Sequence, residues 1–297
     1  MKKLSIVLIL AVSVVLSGCS HSQKFKTQKP RLQHPVARSS TIRVGSFNIQ
    51  VFGQSKMSDA KIMDVLAKII KRYDIIAIQE VRSTKENVIP KLLSYINKDD
   101  LRYDYVISKR LGRTGSKEQY AFVYNTKTVN LIPGSAYVVD DPKDVFEREP
   151  FVAYFRSGNF DFKIVDIHIK PEDVEAELIH LESVINDIYK GSSEKDIIVL
   201  GDMNADGSYF NEKKMAMIFP FWIQLIDNSQ DTTVAVSENT YDRMMTREET
   251  ANEEYDGISG VFNWDKEYGV TDSDFVKKVS DHYPIYAEFK TNLLDDD

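Results

Sequence analysis

From Ile42 onward, short apolar runs alternate with segments in which apolar residues recur every three or four positions. Short apolar runs predict strands, and the spaced pattern predicts amphipathic helices. Each strand needs at least one covered face, so this continuous series predicts one α/β domain with two packed sheets. The predicted strands cover residues 42–49, 75–78, 103–108, 120–124, 160–169, 196–200 and 283–289. Three helices are predicted: one begins after Asp59, and the other two cover residues 85–97 and 172–189.

Polar residues collect where these apolar strands end. Loops at the ends of strands on a rigid sheet carry the chemistry of many enzymes, so these positions are candidates for an active site. The positions are Asn48, Glu80, His168, Asp202, Asn204, Asp281 and His282.

Glu80 stands two residues beyond the apolar run at 75–78. Its carboxylate can lie at the rim of the sheet and bind a hard divalent cation, because Mg²⁺ prefers oxygen ligands. Asn48 and Asp281 offer further oxygen ligands or supporting groups. The alternative is that Glu80 is a solvated acid at a strand end.

His168 and His282 are the candidate acid–base residues. Histidine has an unperturbed pKa of about 6.5, and a neighbouring carboxylate can orient and tune it. Asp202 and Asn204 are two residues apart, so in extended backbone both side chains would point to one face and could hold a nucleophile and a phosphate. An Asx turn is the alternative for this pair. The residues alone therefore indicate a secreted, metal-assisted α/β hydrolase.

The N-terminus has the pattern of a secretory signal. Two lysines precede a mainly apolar run at 4–16, which is shorter than the roughly 20 residues that cross a bilayer. Residues 16–19 (LSGC) resemble the bacterial lipobox, in which Cys19 is acylated and becomes the first residue. A plain signal peptide cleaved near a chance cysteine is the alternative. We expect a signal peptide at 1–18, a flexible tether at 19–41, the catalytic domain at 42–290 and an acidic tail at 291–297.

Composition and charge restrict the classes of function that are compatible with this chain. The chain has 297 residues, of which 42% are hydrophobic and 28% are charged, as in ordinary globular proteins. Its net charge is −7, and the first 43 residues hold eight Lys and Arg and no acid, so the remainder carries −15. An acidic domain does not coat nucleic acid by bulk charge, although it is compatible with a local cationic cleft. Cys19 is the only cysteine, which excludes an intramolecular disulfide.

Four segments together resemble the sites of the endonuclease/exonuclease/phosphatase superfamily, and three more resemble its deoxyribonuclease I branch. The resemblance covers the chain from about residue 42 to residue 290. The first four are 46–49 (SFNI), 78–82 (IQEVR), 201–206 (GDMNAD) and 280–284 (SDHYP). The branch segments are 111–120 (LGR to KEQY), 146–150 (FEREP) and 241–243 (YDR).

The resemblance implies a four-layer α/β sandwich in which two packed, mainly antiparallel β-sheets are flanked by helices. It also implies hydrolysis of phosphodiester bonds with a divalent ion, expected to be Mg²⁺, with Mn²⁺ as the alternative. Glu80 would bind this ion, with Asn48 and Asp281 in its neighbourhood. Asp202 and Asn204 would hold the phosphate and the nucleophile.

The resemblance also assigns the proton transfers. His282, oriented by Asp242, would activate water, and His168, paired with Glu118, would serve the leaving 3′-oxygen as an acid. In-line attack needs a base on one side of the phosphate and an acid on the other, so the two assignments are coherent.

Three arginines are expected to bind substrate. Arg82 and Arg148 match positions that touch the minor groove and backbone phosphate of DNA in the family, and Arg113 would help similarly. Surface ion pairing is the alternative. Two differences from the family are expected to weaken the binding of duplex DNA. Ser116 replaces a tyrosine that stacks in the minor groove, and Gln50 replaces an arginine.

Two stabilising features of the family are altered. Its central disulfide would join positions 207 and 239, which are Gly207 and Asn239 here. Asp231 and Thr233 lie where the family has a structural Ca²⁺ site, but neighbouring positions differ, so a structural calcium ion is uncertain.

We therefore expect a monomeric, metal-dependent endonuclease that acts on DNA with weak sequence preference and leaves 5′-phosphate products. It would be secreted or lipid-anchored in the bacterial cell envelope, at the outer membrane or cell surface. One alternative keeps the site but changes the substrate to a sphingomyelin or phosphoinositide phosphodiester. A second is a catalytically dead surface lipoprotein, but that protein would lack some of the matched catalytic residues, and none is missing.

Replacement of Cys19 by Ala tests the lipobox assignment. We expect the variant to leave the membrane fraction while its specific activity stays unchanged, because the acyl chain anchors the protein and takes no part in catalysis. Fractionation of wild-type and Cys19→Ala cells measures this. A variant that still sediments with membranes contradicts the assignment.

Overall fold

The computed structural model describes residues 40–98 and 101–294. The expected signal peptide, Cys19, all but the last two residues of the expected tether, and the last three residues of the expected acidic tail lie outside these ranges. Among the described residues, no helix combines the length and the apolar character needed to cross a bilayer.

The described residues form thirteen strands, eight α-helices and a 3₁₀ helix at Glu212–Lys214. The strands are β1 (Thr41–Phe52), β2 (Ile75–Val81), β3 (Tyr103–Ile107), β4 (Gln119–Asn125), β5 (Asn130–Leu131), β6 (Tyr137–Val138), β7 (Phe151–Ser157), β8 (Phe160–His168), β9 (Ile197–Asp202), β10 (Trp222–Gln224), β11 (Asp242–Arg247), β12 (Tyr255–Val261) and β13 (Ile285–Lys290). The helices are α1 (Gln54–Ser58), α2 (Ala60–Ile70), α3 (Val88–Ile96), α4 (Val174–Gly191), α5 (Met215–Ile218), α6 (Glu248–Glu253), α7 (Trp264–Tyr268) and α8 (Ser273–Val279).

Two sheets form the centre of the fold. The strand order is β12-β13-β1-β2-β4-β3 in the first sheet and β10-β11-β9-β8-β7-β5 in the second, where β6 also pairs with β7. The pairs β1/β2 and β8/β9 are parallel, and the other described pairs are antiparallel. The expectation of two packed, mainly antiparallel sheets is confirmed.

Three apolar clusters hold the layers together. One lies between the sheets and includes Phe122 of the first sheet and Phe155 of the second. A second packs α2 and α3 against the outer face of the first sheet, and a third packs α4 against the outer face of the second. The order helix, sheet, sheet, helix is the predicted four-layer sandwich.

Local sequence signals account for several element boundaries. Asp59 caps α2 as expected, since its Oδ1 accepts from the backbone N–H groups of Lys61 and Ile62. The first strand runs three residues beyond its predicted end, to Phe52, because it contains a bulge. Six strands were not among the predicted ones: β5, β6, β7, β10, β11 and β12.

Bulges distort β1 and β2 at the same end of the first sheet. The register of β1 against β2 shifts between Asn48 and Phe52, and that of β2 against β4 shifts between Ile78 and Val81. Within these bulges, residues other than glycine adopt left-handed backbone, with φ of 51° at Val51 and 60° at Glu80. Such strain, about 1–3 kcal/mol per residue, persists only where the surroundings enforce it and is typical of functional sites.

A polar contact crosses the apolar layer between the sheets. Gln79 of β2 donates from Nε2 to Asp166 Oδ1 of β8 at 2.6 Å and to Ser46 Oγ of β1 at 3.0 Å. The remaining oxygens, Gln79 Oε1 and Asp166 Oδ2, are buried without a partner. Burial raises the pKa of Asp166 to about 8, although Gln79 acts to lower it. A proton on Asp166 Oδ2 would let this oxygen donate to Gln79 Oε1 and satisfy both atoms.

Replacement of Asp166 by Asn tests this protonation. Asn keeps the shape of the side chain, can donate and accept at Gln79, and does not ionise. The folded pKa of about 8 lies above the ordinary 3.8, so the stability that Asp166 contributes is fully present below about pH 4 and is lost as the pH rises to about 8. We therefore expect Asp166→Asn to gain in melting temperature relative to wild type across this interval and to keep a constant difference above it. Thermal denaturation at a series of pH values measures this, and a difference that does not change with pH contradicts the prediction.

Candidate active site

Asp202 lies at the centre of the crevice where the two sheets meet. It ends β9, is buried, and accepts a hydrogen bond on Oδ2 from Asn48 Nδ2 of the first sheet at 2.9 Å. The Nε2 atoms of His168 and His282 both lie 3.5 Å from the same oxygen. Burial acts to raise the pKa of Asp202, but the two histidines and Asn48 outweigh it, so the pKa is lowered. One carboxylate thus faces two histidines that come from different sheets.

His282 precedes β13 and forms one histidine–carboxylate pair. Its Nδ1 lies 2.7 Å from Oδ2 of Asp242, which begins β11 opposite Asp202 in the β9–β11 register. Nδ1 therefore carries a proton toward Asp242, and Nε2 faces the crevice. Burial acts to lower the pKa of His282, but Asp242 and Asp202 outweigh it and raise the pKa well above its ordinary value. The pair directs Nε2 into the crevice and stabilises the imidazolium that forms when Nε2 accepts a proton.

His168 ends β8 and forms the second pair. Its Nδ1 lies 2.9 Å from Glu118 Oε2, while Glu118 Oε1 pairs with Arg82 at 3.0 Å and with Arg148 at 3.1 Å. Despite burial, His168 and the two arginines lower the pKa of Glu118 to about 2. Burial and Arg148 act to lower the pKa of His168, but Glu118 and Asp202 raise it overall. The ring is therefore suited to carry a proton into the crevice.

Asn204 contacts the residue that follows His168, and its backbone is not extended as the sequence suggested. Its φ is 48°, its N–H donates to Asp202 Oδ1 at 3.1 Å, and its Nδ2 donates to the carbonyl of Ile169 at 2.9 Å. Asp202 and Asn204 therefore form the Asx turn that was the alternative to an extended backbone. The turn keeps both polar residues at the end of β9, and Asn204 also fixes the strand segment that follows His168.

Glu80, Asn48 and Asp281 form the oxygen-rich side of the crevice. Glu80 Oε1 accepts from Asn48 Nδ2 at 3.2 Å, and Oε2 accepts from the backbone N–H of Val51 at 2.7 Å. Asp281 is half exposed and accepts from Gln50 Nε2 at 2.7 Å. Asn48 Oδ1 accepts from the backbone N–H of Gln50 at 2.9 Å, so Asn48 directs its Nδ2 toward Glu80 and supports that carboxylate. The carboxylates of Glu80 and Asp281 are the ligand type that Mg²⁺ prefers.

A second group of possible ligands lies deeper. One oxygen of Asp202, one oxygen of Asp242 and a ring nitrogen of His282 lie within 4.8 Å of one another, so the chain has residues that could hold a divalent ion. Here the Nδ1 of His282 is engaged at 2.7 Å with Asp242, as in an acid–base pair. The group at Glu80 includes the half-exposed Asp281, and an ion held there would leave the histidine pairs intact.

The three arginines expected to bind substrate have different surroundings. Arg82 is partly exposed and bridges Glu80 and Glu118, each at about 3 Å. Arg148 is buried, and its Nε donates to the carbonyl of His168 at 3.0 Å. Arg113 donates to the carbonyl oxygens of Asp144 and Val145. All three guanidinium groups therefore organise the protein, and Arg82 lies nearest to the crevice with an exposed edge.

The structure also describes the positions at which the family has a central disulfide and a structural Ca²⁺ site. A Cβ at Gly207 would lie 2.6 Å from Asn239 Oδ1, so the two positions face each other without a disulfide. Asp231 Oδ1 accepts from the N–H and the hydroxyl of Thr233, both at 3.0 Å. This oxygen is thereby satisfied by the protein's own donors.

Two neighbours of the site, Tyr241 and Lys56, had no role in the sequence expectations. The ring of Tyr241 lies 6.4 Å from that of His282 and packs against the exposed Tyr209 at 5.4 Å. Lys56 of α1 reaches the bulge in β1, and burial lowers its pKa to about 8 although Asp281 and Glu80 act to raise it. Tyr241 adjoins Asp242 in the sequence, which is a usable signal, whereas no local pattern marks Lys56.

The chain is similar to known proteins over most of its length. The Endonuclease/Exonuclease/phosphatase family matches residues 45–282. Deoxyribonuclease gamma of Homo sapiens is 38% identical over 263 residues, covering 84% of this chain and 85% of that protein. Deoxyribonuclease-1 of Bos taurus is 34% identical over 259 residues, covering 82% and 91%. The crystal structure of truncated Caenorhabditis elegans TDP2 matches with a TM-score of 0.59 at 16% identity, covering 85% and 99%, which supports the fold alone.

The family match covers strands of both sheets and the residues from Asn48 to His282 that line the crevice. The identity to the two deoxyribonucleases extends over more than four-fifths of the chain. The predicted fold and the predicted enzyme class are thus confirmed. The chain belongs to the endonuclease/exonuclease/phosphatase family, in its deoxyribonuclease I-like branch, and is a phosphodiester hydrolase.

Proposed function

We propose that the protein is a divalent-metal-dependent endonuclease that hydrolyses DNA and leaves 5′-phosphate ends. The observation that carries the proposal is the convergence of two histidine–carboxylate pairs on Asp202, with the Nε2 atoms of His168 and His282 each 3.5 Å from it. Two histidines that reach one carboxylate from different sheets can serve as the proton acceptor and the proton donor that in-line displacement at phosphorus requires. The relatives named deoxyribonuclease support DNA as the substrate.

His282 is the base in this proposal. Asp242 holds the Nδ1 proton at 2.7 Å, so Nε2 is the nitrogen that accepts a proton from the attacking water. Asp202 faces this nitrogen and stabilises the imidazolium as it forms.

His168 is the acid that protonates the leaving 3′-oxygen. Glu118 orients its ring at 2.9 Å and stabilises the protonated form. Arg148 and Arg82 hold Glu118 ionised, which keeps this carboxylate an acceptor throughout the cycle. Asn204 steadies the backbone just after His168 and can donate to a phosphate oxygen once its bond to Ile169 is exchanged.

Glu80, Asn48 and Asp281 would hold the metal ion, which we propose to be Mg²⁺, with Mn²⁺ as a substitute. When bound, such an ion supplies a positive charge that polarises the phosphate and offsets the charge that develops on its oxygens. Glu80 is held in place by Asn48 and by the N–H of Val51. These two hydrogen bonds fix the position of its carboxylate.

A second candidate substrate is the phosphodiester of a membrane lipid, such as sphingomyelin or a phosphoinositide. The exposed Ser116 and the neutral Gln50 favour it, because both remove groups with which the family holds duplex DNA. The proposed acylation of Cys19 and a location in the bacterial envelope would bring the enzyme to such lipids. The matched segments at 117–120 and 146–150, together with the deoxyribonuclease relatives, favour DNA.

Alanine at His282 or at His168 is expected to lower the rate of DNA cleavage by a factor of at least about 10², because each ring transfers a proton in the transition state. The variants should keep the circular dichroism spectrum of the wild type and a cooperative melt. Initial rates of plasmid nicking measure the effect. A variant that loses activity only because it is unfolded, or that keeps its activity, argues against the assigned role.

The metal dependence and the substrate are tested together by plasmid nicking with Mg²⁺, with excess chelator, and with the Glu80→Gln protein. Gln keeps the size of Glu80 but removes the charge that attracts the ion. We expect nicking with Mg²⁺ alone, none with chelator, and a strong loss in Glu80→Gln that higher Mg²⁺ partly restores. A folded wild-type protein that is silent on DNA but releases product from sphingomyelin or phosphoinositide vesicles supports the second candidate instead.

A further inference from the structure

Lys56 contacts two separate segments of the crevice. It lies on α1, and its ammonium group donates to the carbonyl oxygens of Ile49 at 3.0 Å, of Gln50, and of Val279 at 2.9 Å. Ile49 and Gln50 belong to the bulge in β1, whereas Val279 ends α8 just before Asp281. One side chain thus joins two parts of the chain that are more than 200 residues apart.

The three N–H groups of the ammonium match the three carbonyl oxygens. A lysine ammonium has three donors and no acceptor. With all three engaged by backbone, no donor is left for a phosphate of the substrate. Lys56 therefore acts on the protein and not directly on DNA.

Both segments carry the groups proposed to hold the metal ion. In the bulge, the N–H of Val51 donates to Glu80 Oε2 at 2.7 Å, and the N–H of Gln50 donates to Asn48 Oδ1 at 2.9 Å. On the other side, Ser280 Oγ donates to the carbonyl of Asn48 at 2.6 Å. The position of the bulge therefore determines where the oxygens of Glu80 and Asn48 lie.

The bulge needs an external support. Gln50 and Val51 both have positive φ, 22° and 51°, and this region is unfavourable for a β-branched residue such as Val51. A backbone held in such a conformation persists only where surrounding contacts enforce it. Lys56 provides such contacts, because it donates to two successive carbonyl groups of the bulge, those of Ile49 and Gln50.

We propose that Lys56 is a positioning residue for the divalent ion, which holds the β1 bulge and the segment before Asp281 so that Glu80, Asn48 and Asp281 form one binding site. The inference rests on the proposed function, because it needs an ion at these residues. It differs from a general contribution to folding, since it predicts a change in metal affinity without a matching change in the chemical step.

The test compares Lys56→Met, which keeps the alkyl stem and removes the donors, with Lys56→Arg, whose planar fork keeps the charge but cannot direct three N–H groups from one nitrogen. Lys61→Met is the matched control, because Lys61 lies on α2 with its side chain exposed. Two quantities are measured for the full-length proteins: the dissociation constant for Mn²⁺ in the absence of DNA, by electron paramagnetic resonance, and the Mg²⁺ concentration that gives half-maximal plasmid nicking.

We expect Lys56→Met to weaken Mn²⁺ binding and raise the half-saturating Mg²⁺ concentration by about 10- to 100-fold, the range found when groups that orient metal ligands are removed. The rate at saturating Mg²⁺ should stay near that of wild type. Lys56→Arg should fall between wild type and Lys56→Met, and Lys61→Met should match wild type.

Each other outcome decides against the inference. Unchanged Mn²⁺ affinity in a folded Lys56→Met protein overturns it, as does a fall in the saturated rate with no change in affinity. If Lys56→Met does not fold, the affinity of Lys56→Arg decides, and failure of both variants to fold assigns Lys56 to the fold and overturns the positioning role. A wild-type protein that neither binds Mn²⁺ nor nicks DNA refutes the proposed function itself, which is a distinguishable result.

Discussion

Burial of carboxylates between the two sheets is the constraint on which the site depends. Glu118, Asp202 and Asp242 are almost fully buried, and an ionised carboxylate is tolerated there only beside positive charge and hydrogen-bond donors. The chain meets this requirement with His168 and His282, with two arginines at Glu118, and with Asn48 at Asp202. The same contacts that make burial tolerable orient the two rings and set their proton affinities, so stability of the crevice and its chemistry have one physical origin.

The backbone supplies what side chains alone could not. The two parallel strand pairs bring Asn48 beside β2 in the first sheet and His168 beside Asp202 in the second. Bulges at one end of β1 and β2 then turn Glu80 and the N–H of Val51 toward each other. Bulges beside active sites re-aim side chains at a cost in backbone strain, and the surrounding hydrogen bonds here offset that cost. The rigid sandwich thereby holds the two histidines at Asp202 and fixes Glu80 at the bulge in β1.

Sequence patterns predicted the parts of this site that are local. Glu80, His168 and Asp202 stand at the ends of apolar strands, and their residue types indicate acid–base and metal chemistry. The contacts that join them are not local: Asn48 meets Asp202 across 154 positions, and no periodicity encodes such a pairing. The turn at Asn204 and the positive φ of Val51 likewise follow from tertiary contacts that override the extended preference of a strand. Fold class was predictable because each strand needs a covered face, but strand order and the bulges were not.

The central claim is that His282 takes the proton from water and His168 gives one to the leaving 3′-oxygen. A DNA strand in which one bridging 3′-oxygen is replaced by sulfur tests it most directly, because a thiolate leaves without needing a proton. Cleavage rates at this linkage are measured for wild type and for the two alanine variants. The account predicts that His168→Ala cleaves the sulfur linkage nearly as fast as wild type, while His282→Ala remains slow. Equal loss in both variants at the sulfur linkage, or rescue of His282→Ala alone, would contradict it.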